Sequence, residues 1–292
     1  MKTRIITSIV ALAIFIPILW FSNTWVFPFA MALCAVIGCC EMIFSIGLKK
    51  NWFLIIPISA AAVFFPFFMR YNYIMQQRSI SYTMPDVFKL SIGIALIFAL
   101  YVFAVAVFGN KKLAVTDASL AYMGCLYIIY GFSAIVYIRD YIHLGNYIYL
   151  LTFICAWITD IFAYFTGRLF GKRKLIPAVS PKKTVEGAIG GVLFCVLGLL
   201  AFGLIIEKVF NPQGTTDANY IVLAISGVFI SVVSQIGDLI MSVIKRHFGI
   251  KDYGKLFPGH GGILDRFDSV IAVAVILAFI CTYFNLFAPI VA

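Results

Sequence analysis

The chain has 292 residues and a formal net charge of +10, from 22 Lys and Arg against 12 Asp and Glu. Hydrophobic residues make up 63% of it and charged residues 12%, where a soluble domain carries about 45–50% and about 25%, so a soluble globular protein is excluded. At about 20 residues for each membrane-crossing helix, nine crossings take roughly 180 residues and leave about 110 for loops and ends, too few for a separate soluble domain.

The first apolar run, 5–21, follows Lys2 and Arg4. No small-x-small cleavage pattern comes after it, so an uncleaved first helix is expected rather than a secretory signal. Further runs long enough to cross a bilayer fall at 25–47, 52–69, 88–109, 118–138, 146–167, 185–206, 220–243 and 269–290. In lipid the backbone must satisfy its own hydrogen bonds, and the alternating polarity of barrel strands is absent, so all of these are read as helices. The expectation is an all-α polytopic integral membrane protein with about nine transmembrane helices, about five in 1–143 and about four in 144–292, forming one integrated membrane domain. No internal repeat, low-complexity tract or linker is visible.

If loops alternate sides, 17 of the 22 Lys and Arg fall on the side of the N-terminus. By the positive-inside rule that side is cytoplasmic and the C-terminus lies outside. The charge thus reports orientation before it reports a partner, and nucleic acid is not expected as one. Cys34, Cys39, Cys40, Cys125, Cys155, Cys195 and Cys281 all lie in apolar runs, with neither zinc-site spacing nor a disulfide framework, and are read as packing or lipid-facing residues. The two loops richest in unusual residues, 168–184 and 244–268, share the cytoplasmic side, whereas the polar loop 70–87 suggests no chemistry.

Ionisable groups inside apolar helices are costly, which makes Glu41, Asp160 and Asp238 candidates for function. Glu41 stands between Cys40 and Met42 near the cytoplasmic end of the second run, where an interhelical hydrogen bond or a carboxylate reaching for the interface explains it as well as function does. Asp160, Tyr164 and Arg168 recur every four residues and share one helix face. A structural Asp–Arg bridge is the plain alternative.

The loop that follows contains Gly171-Lys172-Arg173-Lys174 and Ser180-Pro181-Lys182-Lys183-Thr184-Val185-Glu186-Gly187. Ser180 or Thr184 is placed to cap a helix whose first turn holds Glu186. The other hydroxyls and ammoniums beside a helix start suit phosphate, although a solvated basic patch for anionic lipid heads accounts for them too.

The eighth run closes on Ser234, Asp238, Ser242, Lys245 and Arg246, and Lys251, Asp252, Gly254, Pro258, Gly259, His260, Gly261, Gly262, Asp265, Arg266 and Asp268 follow. The glycines let backbone N–H groups approach an anion. If the last helix opens near Ile263, Asp265 and Asp268 share its first turn and, with Asp238, form the all-oxygen donor set that Mg²⁺ prefers, sharing its other positions with water and phosphate. Dipole complementarity explains the two carboxylates equally well. His260 is either a general acid or base or a hydrogen-bonding loop residue. Cations for phosphate and carboxylates for metal on one side of a membrane suggest phosphoryl or nucleotidyl transfer to a lipid headgroup. Neither a Gly-x-x-x-x-Gly-Lys-Ser/Thr loop nor the Asp-Gly-x-x-Ala-Arg pattern of CDP-alcohol phosphotransferases occurs.

The 27 residues from Ser242 to Asp268, through Lys245-Arg246, Lys251-Asp252, Gly254, Phe257-Pro258, His260-Gly261-Gly262-Ile263 and Asp265-Arg266-Phe267-Asp268, resemble without departure the signature of the phosphatidate cytidylyltransferase (CDP-diacylglycerol synthase) family. Asp160-x-x-Ala163-Tyr164-x-x-Gly167-Arg168 and the Ser180 to Gly187 segment are similar to it as well. The resemblance covers roughly 155–290, and the earlier helices match only in being hydrophobic.

It implies phospholipid biosynthesis by a polytopic enzyme that uses CTP, phosphatidate and Mg²⁺, with a second cation left open, and yields CDP-diacylglycerol and pyrophosphate. By similarity Asp238 and Asp265 are the metal-site carboxylates, with Asp268 close by and Lys245 in the catalytic set. Lys182, Lys183 and Arg246 match positions suited to triphosphate. Asp160, Tyr164, Arg168, Ser180, Thr184, Lys251, His260, Gly261, Gly262 and Arg266 complete the expected substrate and nucleotide set. The expected location is a bacterial inner membrane with the site facing the cytoplasm, and a homodimer is left open. Rival readings are a CTP-dependent enzyme acting on an ether lipid or a polyprenol, an ion transporter with Asp160 and Asp238 along its pathway, and a non-catalytic anionic-lipid scaffold.

Overall fold

A computed structural model describes residues 2–78, 87–108, 114–210 and 216–289. Among these residues ten α-helices run in chain order: α1 (Lys2–Trp20), α2 (Val26–Ser45), α3 (Trp52–Arg78), α4 (Val87–Phe108), α5 (Val115–Tyr141), the short α6 (Gly145–Ile148), α7 (Leu151–Phe170), α8 (Val185–Ile205), α9 (Tyr220–His247) and α10 (Leu264–Tyr283). A π-helical turn, Ile206–Phe210, extends α8. Two small antiparallel ribbons pair β1 (Lys174–Ile176) with β2 (Ser180–Thr184) and β3 (Thr216–Ala218) with β4 (Phe287–Pro289). Among the described residues seven helices are long and apolar enough to cross a membrane, with α6 and α7 together forming one of them, and α1 carries a shorter apolar stretch, Ile6–Trp20. The protein is an all-α polytopic membrane protein.

The helices do not all keep the bounds of the apolar runs. The third run ends at 69, but α3 continues to Arg78, because the polar groups that end the run are accommodated by partners: Arg70 Nη1 donates to Asp140 Oδ1 at 2.6 Å, Arg139 Nη1 donates to the same oxygen at 2.8 Å, and Arg70 Nη2 donates to the Asn23 carbonyl. The last helix opens at Leu264 and ends at Tyr283 rather than spanning 269–290, since a first turn tolerates charged residues that an apolar run excludes. Of the loop 168–184, residues 168–170 complete α7 and the strands at 174–176 and 180–184 form the β1–β2 ribbon. The rest of the 70–87 loop, 79–86, and Lys111 and Lys112 lie outside the described residues.

The chain divides into two compact units, one of residues 1–140 with 248–266 and one of residues 141–247 with 267–292. In the first, α2, α3 and α5 bury Phe27, Met31, Cys39, Met42, Leu54, Ile58, Phe65, Cys125, Ile128 and Phe132. Lipid is as apolar as these side chains, so close packing rather than loss of water holds such helices together. A Cβ on Gly38 would come within 3.1 Å of Leu264 and 3.2 Å of Ile128, which shows how tightly α2, α5 and the start of α10 are fitted.

In the second unit, small residues on α8 let α7 approach. A Cβ at Gly187 would lie 2.5 Å from the Ala163 carbonyl oxygen, and one at Gly191 3.0 Å from that of Thr159. The rings of Phe162 and Phe194 stack at 3.8 Å beside this crossing. Helix α9 joins through a hydrogen bond at 3.1 Å from Thr159 Oγ1 to Ser231 Oγ and through Gln235 Nε2, which donates to the Ala188 carbonyl at 3.2 Å. The opposite faces of α8 and α9 present exposed Ile189, Leu193, Leu197, Ile225 and Phe229, as expected where helices meet acyl chains.

Candidate active site

The close α7–α8 crossing places the C-terminal half of α7 beside the β1–β2 ribbon, and a cavity of about 290 Å³ opens there. Asp160, Tyr164 and Arg168 from α7, Lys182, Lys183 and Thr184 from the ribbon and helix start, and Gln235 and Asp238 from α9 line it. Seven residues singled out from sequence, at three separate places in the chain, therefore face one space. Gln235 was not among them. Its amide nitrogen, which donates to the Ala188 carbonyl at 3.2 Å and so ties α9 to α8 at the cavity wall, also lies 3.4 Å from Ser231 Oγ on its own helix.

Thr184, not Ser180, caps α8: its backbone is extended (φ −124°, ψ 155°) and its Oγ1 accepts from Gly187 N at 3.1 Å. Ser180 sits in β2 opposite Ile176 and does not line the cavity. Glu186, in the first turn of α8, accepts from the backbone N–H groups of Lys172 at 3.0 Å and Arg173 at 3.2 Å, fastening the start of the ribbon so that Lys182 and Lys183 are presented from a fixed frame.

Lys183 Nζ lies 2.5 Å from Asp238 Oδ2, and Ser242 Oγ lies 3.4 Å from Asp238 Oδ1. Arg168 turns to the hydroxyl of Tyr164, at 3.4 Å, rather than to Asp160, so the simple Asp–Arg bridge is not what forms. Asp160 Oδ2 instead accepts from Ser269 Oγ at 3.3 Å. Asp268 Oδ1 accepts from Ser269 N at 2.8 Å, and Asp238, Asp160 and Lys245 are its charged neighbours. Lys245 and Arg246 occupy the last turn of α9.

The remaining sequence candidates belong to the other unit, in the 248–266 segment. There Phe257 N donates to the Gly261 carbonyl at 2.9 Å and His260 N to the Phe257 carbonyl at 2.8 Å, a tight turn in which Gly259 and Gly261 take positive φ of 78° and 87°. Arg266 Nε donates to the His260 carbonyl at 2.7 Å. Asp265 Oδ2 accepts from Tyr253 N at 2.8 Å and Gly262 N at 2.9 Å. His260 Nε2 is 3.3 Å from Ser8 Oγ, and Lys251 is exposed. Asp265, Arg266 and the glycines thus close this loop on itself.

Among the described residues no three His, Cys, Asp or Glu side chains are gathered into a ready-made metal cage. Two carboxylates, Asp160 and Asp238, line the cavity beside lysines. That donor set fits an ion such as Mg²⁺, which uses one or two carboxylates and completes its shell with water and phosphate oxygens.

The model of the cytidylyltransferase family matches residues 2–284 of the chain. Phosphatidate cytidylyltransferases of Staphylococcus haemolyticus and Staphylococcus epidermidis are each 36% identical to it, over 277 and 279 residues, covering 95% of this chain and 97% of each relative. That of Staphylococcus aureus is 35% identical over 277 residues, with the same coverage. The chain belongs to the cytidylyltransferase family. Membership extends the likeness beyond 155–290 to nearly the whole length, so the first five helices, which looked merely hydrophobic, are part of the family's fold. The cavity of this family member sets the cations Arg168, Lys182 and Lys183 beside the carboxylates Asp160 and Asp238.

Proposed function

We propose that the protein transfers the cytidylyl group of CTP to phosphatidate, releasing pyrophosphate and leaving CDP-diacylglycerol in the membrane. The observation that carries this reading is the single cavity in which Lys182, Lys183 and Arg168 stand with Asp160 and Asp238, in a chain whose relatives bear the name phosphatidate cytidylyltransferase along nearly their full length. An oxygen of the phosphatidate phosphate attacks the α-phosphorus of CTP, the bond from that phosphorus to the oxygen bridging the β-phosphorus breaks, and pyrophosphate leaves with the electron pair. The attacking phosphate is anionic near neutral pH, so no strong base is needed.

The obstacle is the meeting of two polyanions. Lys182, Lys183 and Arg168 neutralise and orient the triphosphate, the two lysines held in place beforehand by the ribbon and the arginine by the last turn of α7. Asp160 and Asp238 would hold Mg²⁺, and the family resemblance assigns catalytic roles to Asp265 and Asp268 as well. When bound, the ion supplies charge neutralisation at the phosphate oxygens. The distribution of Lys and Arg supports a cytoplasmic opening of the site, and the staphylococcal relatives support a bacterial cell membrane.

Purified protein in liposomes, given CTP, Mg²⁺ and phosphatidate, should release pyrophosphate only when all three are present. Release without phosphatidate, or none with it from folded protein, would overturn the reading.

A further inference from the structure

Among the buried charges that the cavity chemistry leaves unused, Arg70 and Asp140 pair with each other, whereas Glu41 meets backbone amides. Glu41 lies on α2, within a run of apolar residues, and is 7% exposed. Its two carboxylate oxygens each take one backbone amide: Oε1 accepts from Ile263 N at 3.1 Å and Oε2 from Leu264 N at 2.9 Å. These amides open α10, where the first N–H groups of a helix have no intrahelical acceptor, and an anion there also meets the positive end of the helix dipole. The cap comes from 222 residues away and not from the preceding residue, as an ordinary cap would.

The loop makes room for this carboxylate. A Cβ on either Gly254 or Gly262 would collide with Glu41 Oε1. Gly262 N is in turn held by Asp265 Oδ2, as is Tyr253 N. Two carboxylates thus close the segment from Tyr253 to Asp265, Asp265 from within and Glu41 from a separate helix. Glu41 grips the two residues immediately before Asp265, so the backbone that carries Asp265 is anchored through Glu41.

We infer that Glu41 is the positioning residue of the loop that carries Asp265, acting on turnover through that loop and without touching substrate. The inference rests on the proposed cytidylyl transfer for its kinetic half and on the geometry of one unit for its structural half. A buried carboxylate is costly to keep, and the two amides it receives account for a charge at this position.

The test compares wild type with Glu41→Gln and Glu41→Ala in detergent, by hydrogen exchange at the amides of residues 253, 262, 263 and 264 and by pyrophosphate release with CTP, Mg²⁺ and phosphatidate. Gln keeps one good acceptor and Ala none. Exchange at these amides and loss of kcat should both rank wild type, Gln, Ala, with kcat falling by about 10-fold or more in Ala as charge-assisted hydrogen bonds are lost, while KM for CTP stays near wild type. Unchanged protection in Glu41→Ala, or lost protection with full kcat, overturns the inference. A general rise in exchange along α3 and α5 would reduce Glu41 to a fold residue and overturn it too. Should Glu41→Ala not fold, Gly254→Ala displaces the same carboxylate from the loop side and should give the same local signature; its absence counts against the inference. Local loss of protection in a protein whose wild type releases no pyrophosphate would support the anchoring of the loop and remove the reaction assigned to it.

Discussion

Asp238 shares its cavity with Asp160 and is held by Lys183 at 2.5 Å. Asp238→Asn preserves shape and removes charge, so pyrophosphate release should fall by about 100-fold or more, with a melting temperature near wild type. Wild-type turnover in the folded variant would take Asp238 out of the mechanism. Lys182 and Lys183 are neighbours in β2 with different expected phenotypes. Lys182→Ala should raise KM for CTP about 10-fold with little change in kcat, as expected for one charged hydrogen bond to a phosphate. Lys183→Ala also strips Asp238 of its partner, so kcat should fall with it. Steady-state kinetics over a CTP series separate the two. The identity of these residues was legible in the sequence because chemistry dictated their types and helical spacing put Asp160, Tyr164 and Arg168 on one face. The partner of Glu41 was not, since no periodicity links residue 41 to residues 263 and 264. The excess of Gly around 254–262 was the available signal, and it pointed equally to an anionic ligand.

At the scale of elements, Thr184 and the α7–α8 crossing fix the cavity wall. Thr184→Ala removes a cap worth about 1 kcal/mol, and Thr184→Ser should restore the loss, as read by thermal unfolding in detergent. Gly187→Ala places a methyl 2.5 Å from the Ala163 carbonyl and Gly191→Ala one 3.0 Å from that of Thr159. The first should lower the melting temperature more than the second, and equal stability of both with wild type would mean that the helices are not closely apposed there. Helices were readable from apolar length because lipid leaves the backbone no other arrangement. The β1–β2 ribbon was not: Ser180-Pro181-Lys182-Lys183-Thr184 has no alternation of apolar residues, and Pro181 is tolerated only because both strands of a two-stranded ribbon are edges. The length of α3 was misjudged for a related reason, since Arg70 reads as a membrane boundary until its partner Asp140 is seen.

For the whole molecule, the proposed substrate already resides in the bilayer, and its two chains can remain there while the headgroup reaches the cavity. Phosphatidates of different acyl length, presented in one host lipid, should therefore give similar kcat/KM, and strong chain selectivity would contradict that route. A single added cysteine at Lys172, in the loop expected to face the cytoplasm, should react with an impermeant reagent in inverted vesicles and not in intact cells.

The cluster of Arg70, Arg139 and Asp140 also bears on how the chain is made. Arg70 is synthesised 70 residues before the carboxylate that neutralises it. At about 5–20 residues per second that is roughly 4–14 s on the ribosome. Until α5 is made the Arg70 guanidinium has no Asp140 to meet, and an unpaired charge is costly in hydrocarbon, so α3 inserted alone is expected to keep its end hydrated. The counter-ion then acts as a timer for this half of the protein, with the final seating of the third helix expected to follow synthesis of the fifth.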